Sequence, residues 1–93
     1  MTPSRFSQLD VRLRSLLLAA SPYLTASEQG EVIAFIDVDE YGLALETLAG
    51  IAIEERKQLP AEVILAMRAA AARMAIQDRI DWRRLEPDAA SSG

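Results

Sequence analysis

The sequence predicts an all-α fold: a small four-helix bundle, with room for a short fifth helix at its C-terminal end. Three observations carry this. Apolar residues recur at helical rather than strand spacing along the chain. Ala and Leu, both strong helix formers, supply much of the 51% hydrophobic content. Prolines, capping residues and charge clusters divide the periodic runs into four segments, near 3–20, 25–38, 40–55 and 60–76. No strand-length window alternates β-branched or aromatic residues with polar ones, so no sheet is expected. The 93 residues suit one domain with a modest core. That domain is placed at 1–87, with the small polar residues 88–93 as a disordered tail.

The third segment, Asp39 to Glu55, organises the rest. Asp39 is the candidate N-cap, since a short carboxylate accepts the backbone N–H groups that a first helical turn leaves free. Glu40 then suits the positive end of the helix dipole. At 100° per residue, Tyr41, Ala44, Leu45, Leu48, Ala49, Ile51 and Ala52 share one broad arc, wide enough to touch more than one neighbour. Glu40, Glu46, Thr47, Gly50 and Glu54 fill the other side, and Leu43 is stranded among them.

In the first segment, Pro3 opens the helix with Thr2 or Ser4 as cap. Phe6, Leu9, Leu13, Leu16, Leu17 and Ala20 form its apolar arc, while Val11 and Leu18 lie off it, placed to cover an edge. Pro22 ends the helix because it disfavours helical geometry in the residue before it. Thr25 and Glu28 have the spacing of a capping box and start the second helix. Val32, Ile33 and Ile36, with Phe35 beside them, are its expected buried stripe. Asp37, Asp39 and Glu40 crowd the next turn. Their mutual repulsion calls for compensation, from the dipole of the following helix or from a basic partner.

Pro60 is read as the first residue of the fourth helix. Val63, Met67, Ala70, Ala71 and Met74 are its main arc, with Ile64 at the margin. A second stripe, Leu65, Ala69, Ala72 and Ile76, is nearly free of charge. It is expected to be covered by the segment Gln77 to Leu85 through Trp82 and Leu85, or else to dimerise. Trp82 is read as structural.

Composition narrows the function classes. Cysteine is absent, which removes disulfides and thiolate chemistry. Histidine is absent too, and with it the commonest general base and metal ligand. No phosphate-cradling loop or nucleophile motif is present, and Asp37, Asp39 and Glu40 lack the spacing of a calcium loop. The expectation is therefore a non-enzyme with no catalytic residue, metal or cofactor. No secretory core is evident and no apolar run approaches a membrane span, which fits a cytoplasmic protein. The net charge of −4 is unevenly spread: Glu28 to Glu55 holds eight acids and no Lys or Arg. Such a segment repels nucleic acid and attracts basic surfaces, although the same charges also suit an ordinary solvated face.

The run FIDVDEYGLALETLAGIAIEE, preceded by YLTASEQGEVIAF and followed by LPAEVILAMRAAAARMAI, resembles the MafI family of bacterial immunity proteins. The matching features are Asp39, Glu40, Tyr41 and Gly42 at the second interhelical turn, then Ala44-Leu45-Glu46-Thr47-Leu48, and a last helix ending near Met74. The resemblance spans Tyr23 to Ile76. It departs in the Ala-rich fourth helix and in the Ile80–Leu85 arm. It implies an antitoxin that binds a cognate polymorphic toxin domain, often a nuclease, and is not an enzyme. Partner contact is expected at Asp37, Asp39, Glu40, Glu46 and Glu54 for steering and salt bridges, with Leu43 and Tyr41 as apolar anchors. A helical dimerisation or adaptor module is the alternative, and a homodimer is compatible with either.

Overall fold

The computed structural model describes residues 5–86. In chain order it has helices α1 (Arg5–Ala20), α2 (Ala26–Asp37), α3 (Tyr41–Glu54), α4 (Ala61–Met74) and α5 (Trp82–Leu85), with short 3₁₀ turns at Ser21–Tyr23 and Gln77–Arg79. No strand occurs among the described residues. This is the expected small all-α bundle with its short fifth helix. The caps expected at Thr2 or Ser4, the role of Pro3 and the tail at 88–93 lie outside the described residues, as does the side chain of Phe6.

Helix α3 is the centre, packing against α1, α2, α4 and α5. Tyr41, Ala44, Leu45, Leu48, Ala49 and Ala52 are all buried, as their shared arc requires, and Ile51 is half-buried. Leu48 and Ile36 join one core cluster with Leu13, Leu16, Leu17, Val63, Ile64 and Met67. Leu59 belongs to it as well, a fully buried residue in the α3–α4 connection that helical periodicity does not reveal.

The start of α2 follows its sequence. Thr25 Oγ1 accepts the Glu28 N–H at 3.0 Å, and Glu28 Oε1 accepts the Thr25 N–H at 2.8 Å. The start of α3 does not. Asp39 is not the N-cap: that position belongs to Glu40, whose side chain makes no capping bond. Pro60 likewise sits one residue earlier than expected, as N-cap, where its carbonyl accepts the N–H groups of Val63 and Ile64.

Three helices end in the same way. Asp39, Arg56 and Ala75 have φ of 63°, 53° and 57°. In each case the next residue's N–H reaches back five residues: Glu40 to Phe35, Lys57 to Ala52 and Ile76 to Ala71, at 2.9, 2.9 and 3.0 Å. This is the Schellman stop, which satisfies carbonyls the helix end leaves free and reverses the chain. Glycine is its usual residue, yet none of the three is glycine.

Several apolar positions stay outside the core. Ile33 is exposed rather than buried, because α2 turns only Val32 and Ile36 fully inward. Val11 and Leu18 cover no edge and face outward. The outer stripe of α4 is also open: Leu65 is 64% exposed, and Ala69 and Ala72 are exposed, with only Ile76 buried. The C-terminal arm misses that stripe because it docks on the flank of α4 that carries Arg68. The Arg68 guanidinium lies 4.9 Å from the Trp82 ring centroid and pairs with Glu86. Trp82 Nε1 donates to the Gln77 carbonyl at 2.9 Å, and α5 packs on α3, where Leu85 is buried. Trp82 thus has the structural role expected of it.

Two stability predictions follow from this packing. Leu48 is 2% exposed in the centre of the core, so Leu48→Ala should cost about 2–5 kcal/mol in urea unfolding. Ala75 is exposed and left-handed. Ala75→Gly should raise the stability by about 1 kcal/mol in the same assay, since a Cβ disfavours that conformation.

Candidate functional site

The expected site residues gather at the α2–α3 turn and along the outer side of α3, but in three separate settings. Asp37 closes α2, Asp39 and Glu40 make the turn, and all three are exposed. Glu46 lies midway along α3, where its Oε2 is 3.5 Å from Arg79 Nη1. It is therefore already paired within the chain, contrary to the expectation of a carboxylate open to a partner. Glu54 stands at the far end of α3, exposed, beside Glu55. From Glu40 to Glu54 the helix rises about 20 Å, so these acids line an edge rather than a pocket.

The left-handed backbone at Asp39 decides the chemistry of the turn. Asp39 Oδ1 accepts a hydrogen bond from the Tyr41 hydroxyl at 3.0 Å, and Asp10 Oδ2 of α1 lies 3.3 Å from the same hydroxyl. Tyr41 is only 5% exposed. Its ring belongs to the core, as its arc indicates, so its contribution to any interface is to hold the turn rather than to present an anchor. Arg14 completes the cluster. Its Nε is 2.6 Å from Asp10 Oδ1 and its Nη2 is 2.7 Å from Asp37 Oδ1. The compensation for crowded charge therefore comes from α1 of the same chain. It reaches Asp37, while Asp39 and Glu40 take no ion pair among the described residues.

Asp10 and Arg14 were not singled out by sequence reasoning. Their spacing of four residues on one helix face was the available signal for their mutual pair. Nothing local connects Asp10 with Tyr41, 31 positions later. A further overlooked residue is Val38, in the middle of the turn and 65% exposed. Leu43, in the first turn of α3, is 44% exposed, as its position among polar residues indicates. Two apolar side chains thus stand beside Asp39 and Glu40.

The acidic segment is only partly neutralised. Glu28 pairs with Lys57 at 3.0 Å, Asp37 with Arg14 and Glu46 with Arg79. Glu31, Asp39, Glu40, Glu54 and Glu55 take no ion pair among the described residues. The same residues contain no cluster of acids able to hold a metal ion.

The titration behaviour follows from the partners. Hydrogen bonding to Arg14 holds the Asp10 carboxyl below its ordinary value. The Thr25 N–H, then Lys57, does the same for Glu28. Burial, then the hydrogen bond to Asp39 and the charges of Asp39 and Asp10, push the Tyr41 hydroxyl up to about 12. The signs are opposite. The two carboxylates contribute stability above their ordinary values, and it is lost as the pH falls through their lowered ones. The tyrosine's contribution is complete below about pH 10 and is lost as the pH rises from there towards 12. Tyr41→Phe should therefore lower stability at neutral pH and flatten the alkaline loss, read by thermal melts between about pH 9 and pH 12. An alkaline slope identical to that of the unsubstituted chain would contradict the assignment. In comparisons with known proteins, no family model, curated protein or solved structure matches the chain.

Proposed function

We propose that the protein is an immunity protein that binds and neutralises a cognate polymorphic toxin domain, a nuclease, through the acidic edge formed by the α2–α3 turn and the outer side of α3. One observation carries the reading: exposed Val38 and Leu43 stand beside Asp39 and Glu40, which take no ion pair among the described residues. A small apolar centre with acids around it suits a basic surface such as a nuclease substrate cleft. The charges would steer encounter, and the apolar contacts would hold the complex. The resemblance to MafI proteins falls on the same residues and supports the same reading.

On this reading the protein acts by occupying a partner, is not an enzyme and needs no cofactor. It works in the cytoplasm of the producing cell, where the toxin would otherwise act. Among the described residues, no helix is long and apolar enough to cross a membrane. A second reading, a dimerisation or adaptor module, is favoured by the open outer stripe of α4.

The test is binding kinetics against any nuclease-like toxin domain found encoded beside this gene, at two ionic strengths, with growth rescue on co-expression. Glu40→Arg with Glu54→Arg should slow association about tenfold or more at low salt and weaken its salt dependence. These positions are chosen because neither takes an ion pair among the described residues. Leu43→Ala and Val38→Ala should mainly speed dissociation. An association rate unchanged by the double reversal would rule out the acidic edge as the docking surface.

A further inference from the structure

Helices α1 and α4 run antiparallel and leave a groove between them. Leu9, Gln8 and Arg12 of α1 meet Arg73 of α4 at one end. Ala19 and Glu62 share the longer stretch towards the other. That stretch is about 640 Å³, with Leu16 and Val63 on its floor and Val11, Ser15 and Ala66 among its walls. Leu65, which adjoins Ala66 on α4, is almost two-thirds exposed. The C-terminal arm docks on the other flank of α4, at Arg68.

We propose that the outer α4 wall of this groove docks on a second copy of the chain, in a two-fold symmetric dimer built on α4. The occupant is identified by charge. The groove is cationic at one end, through Arg12 and Arg73, and anionic at the other, through Glu62. None of the three makes an ion pair among the described residues. Glu62, Ala66, Ala69 and Arg73 are spaced four, three and four apart, so they share one face of α4. Glu62 and Arg73 are then about 16 Å apart along the axis, on either side of Ala66 and Ala69. A two-fold axis through the middle of that face reverses the partner helix. It sets Glu62 of each copy opposite Arg73 of the other, forming the same pair twice, as an isologous interface requires. The alanines let the helices approach, and Leu65, exposed on the flank of that face away from α1, comes to lie on the same flank as its counterpart in the other copy. The residues involved are different from those of the acidic edge, so this dimer does not depend on the toxin-binding reading.

Sedimentation equilibrium of the full chain, from micromolar to near-millimolar concentration, tests it. The unsubstituted chain should dimerise reversibly. Glu62→Arg or Arg73→Glu alone should weaken the dimer at least about tenfold, because each places like charges opposite one another twice. The two together should restore it to within about threefold, since the pairs re-form with their signs exchanged. Leu65→Glu should leave a monomer. All three substituted positions are at the surface, and circular dichroism checks that each variant stays folded. A chain that remains monomeric throughout, or a dimer indifferent to the single reversals, would overturn the proposal, as would a double variant no tighter than either single one.

Discussion

The structure depends on the burial of α3. A 14-residue helix that turns Tyr41, Ala44, Leu45, Leu48, Ala49 and Ala52 inward needs neighbours on several sides, and α1, α2, α4 and α5 supply them. To surround one helix with a chain this short, the backbone must reverse abruptly at the ends of α2, α3 and α4. It does so with one device, a left-handed residue followed by a long backward hydrogen bond, at Asp39, Arg56 and Ala75. Side chains other than glycine resist that conformation by about 1–2 kcal/mol each. The core burial on either side of the turns holds them in it.

The first of these turns is also where the surface chemistry arises. The left-handed Asp39 leaves the N-cap position to Glu40, and its own carboxylate meets the Tyr41 hydroxyl beside Asp10. Arg14 then links Asp10 with Asp37. Acids that would repel one another are fastened to α1 by one guanidinium and one hydroxyl. Along the rest of the acidic segment, Lys57 and Arg79 take Glu28 and Glu46. Of the acids that take no ion pair among the described residues, Asp39 and Glu40 adjoin exposed Val38 and Leu43. The proposed docking surface is what remains after these pairings.

The α1–α4 side has a different character. Arg12, Glu62 and Arg73 stand there among the apolar residues Leu9, Val11, Leu16, Ala19, Val63 and Ala66. These ionic groups stand towards opposite ends and make no ion pair among the described residues. Arg68 is drawn away to Trp82 and Glu86, which fixes the arm on one flank and leaves Leu65 in solvent. The two surfaces therefore differ in the forces available to them: long-range attraction at the acidic edge, and close helix packing with a reciprocal charge register at the groove.

Features whose cause is local were legible in the sequence. The capping box of Thr25 and Glu28 involves residues three apart, and it formed as read. The buried arc of α3 and the exposure of Leu43 follow from 100° per residue and from which side is apolar. The stop before Pro22 is a steric property of one dipeptide. Features that depend on elements meeting in space were decided only by the tertiary structure. Whether Asp39 or Glu40 caps α3 turned on how α2 ends, and the cation that quiets the turn came from α1. Leu59 is buried by its place between α3 and α4 and not by any periodicity. The path of the C-terminal arm was set by where Trp82 and Glu86 meet Arg68 and where Leu85 is buried against α3. Helical periodicity reports which side of a helix is apolar, but it carries no information about which other helix, or how much of it, will arrive to cover that side.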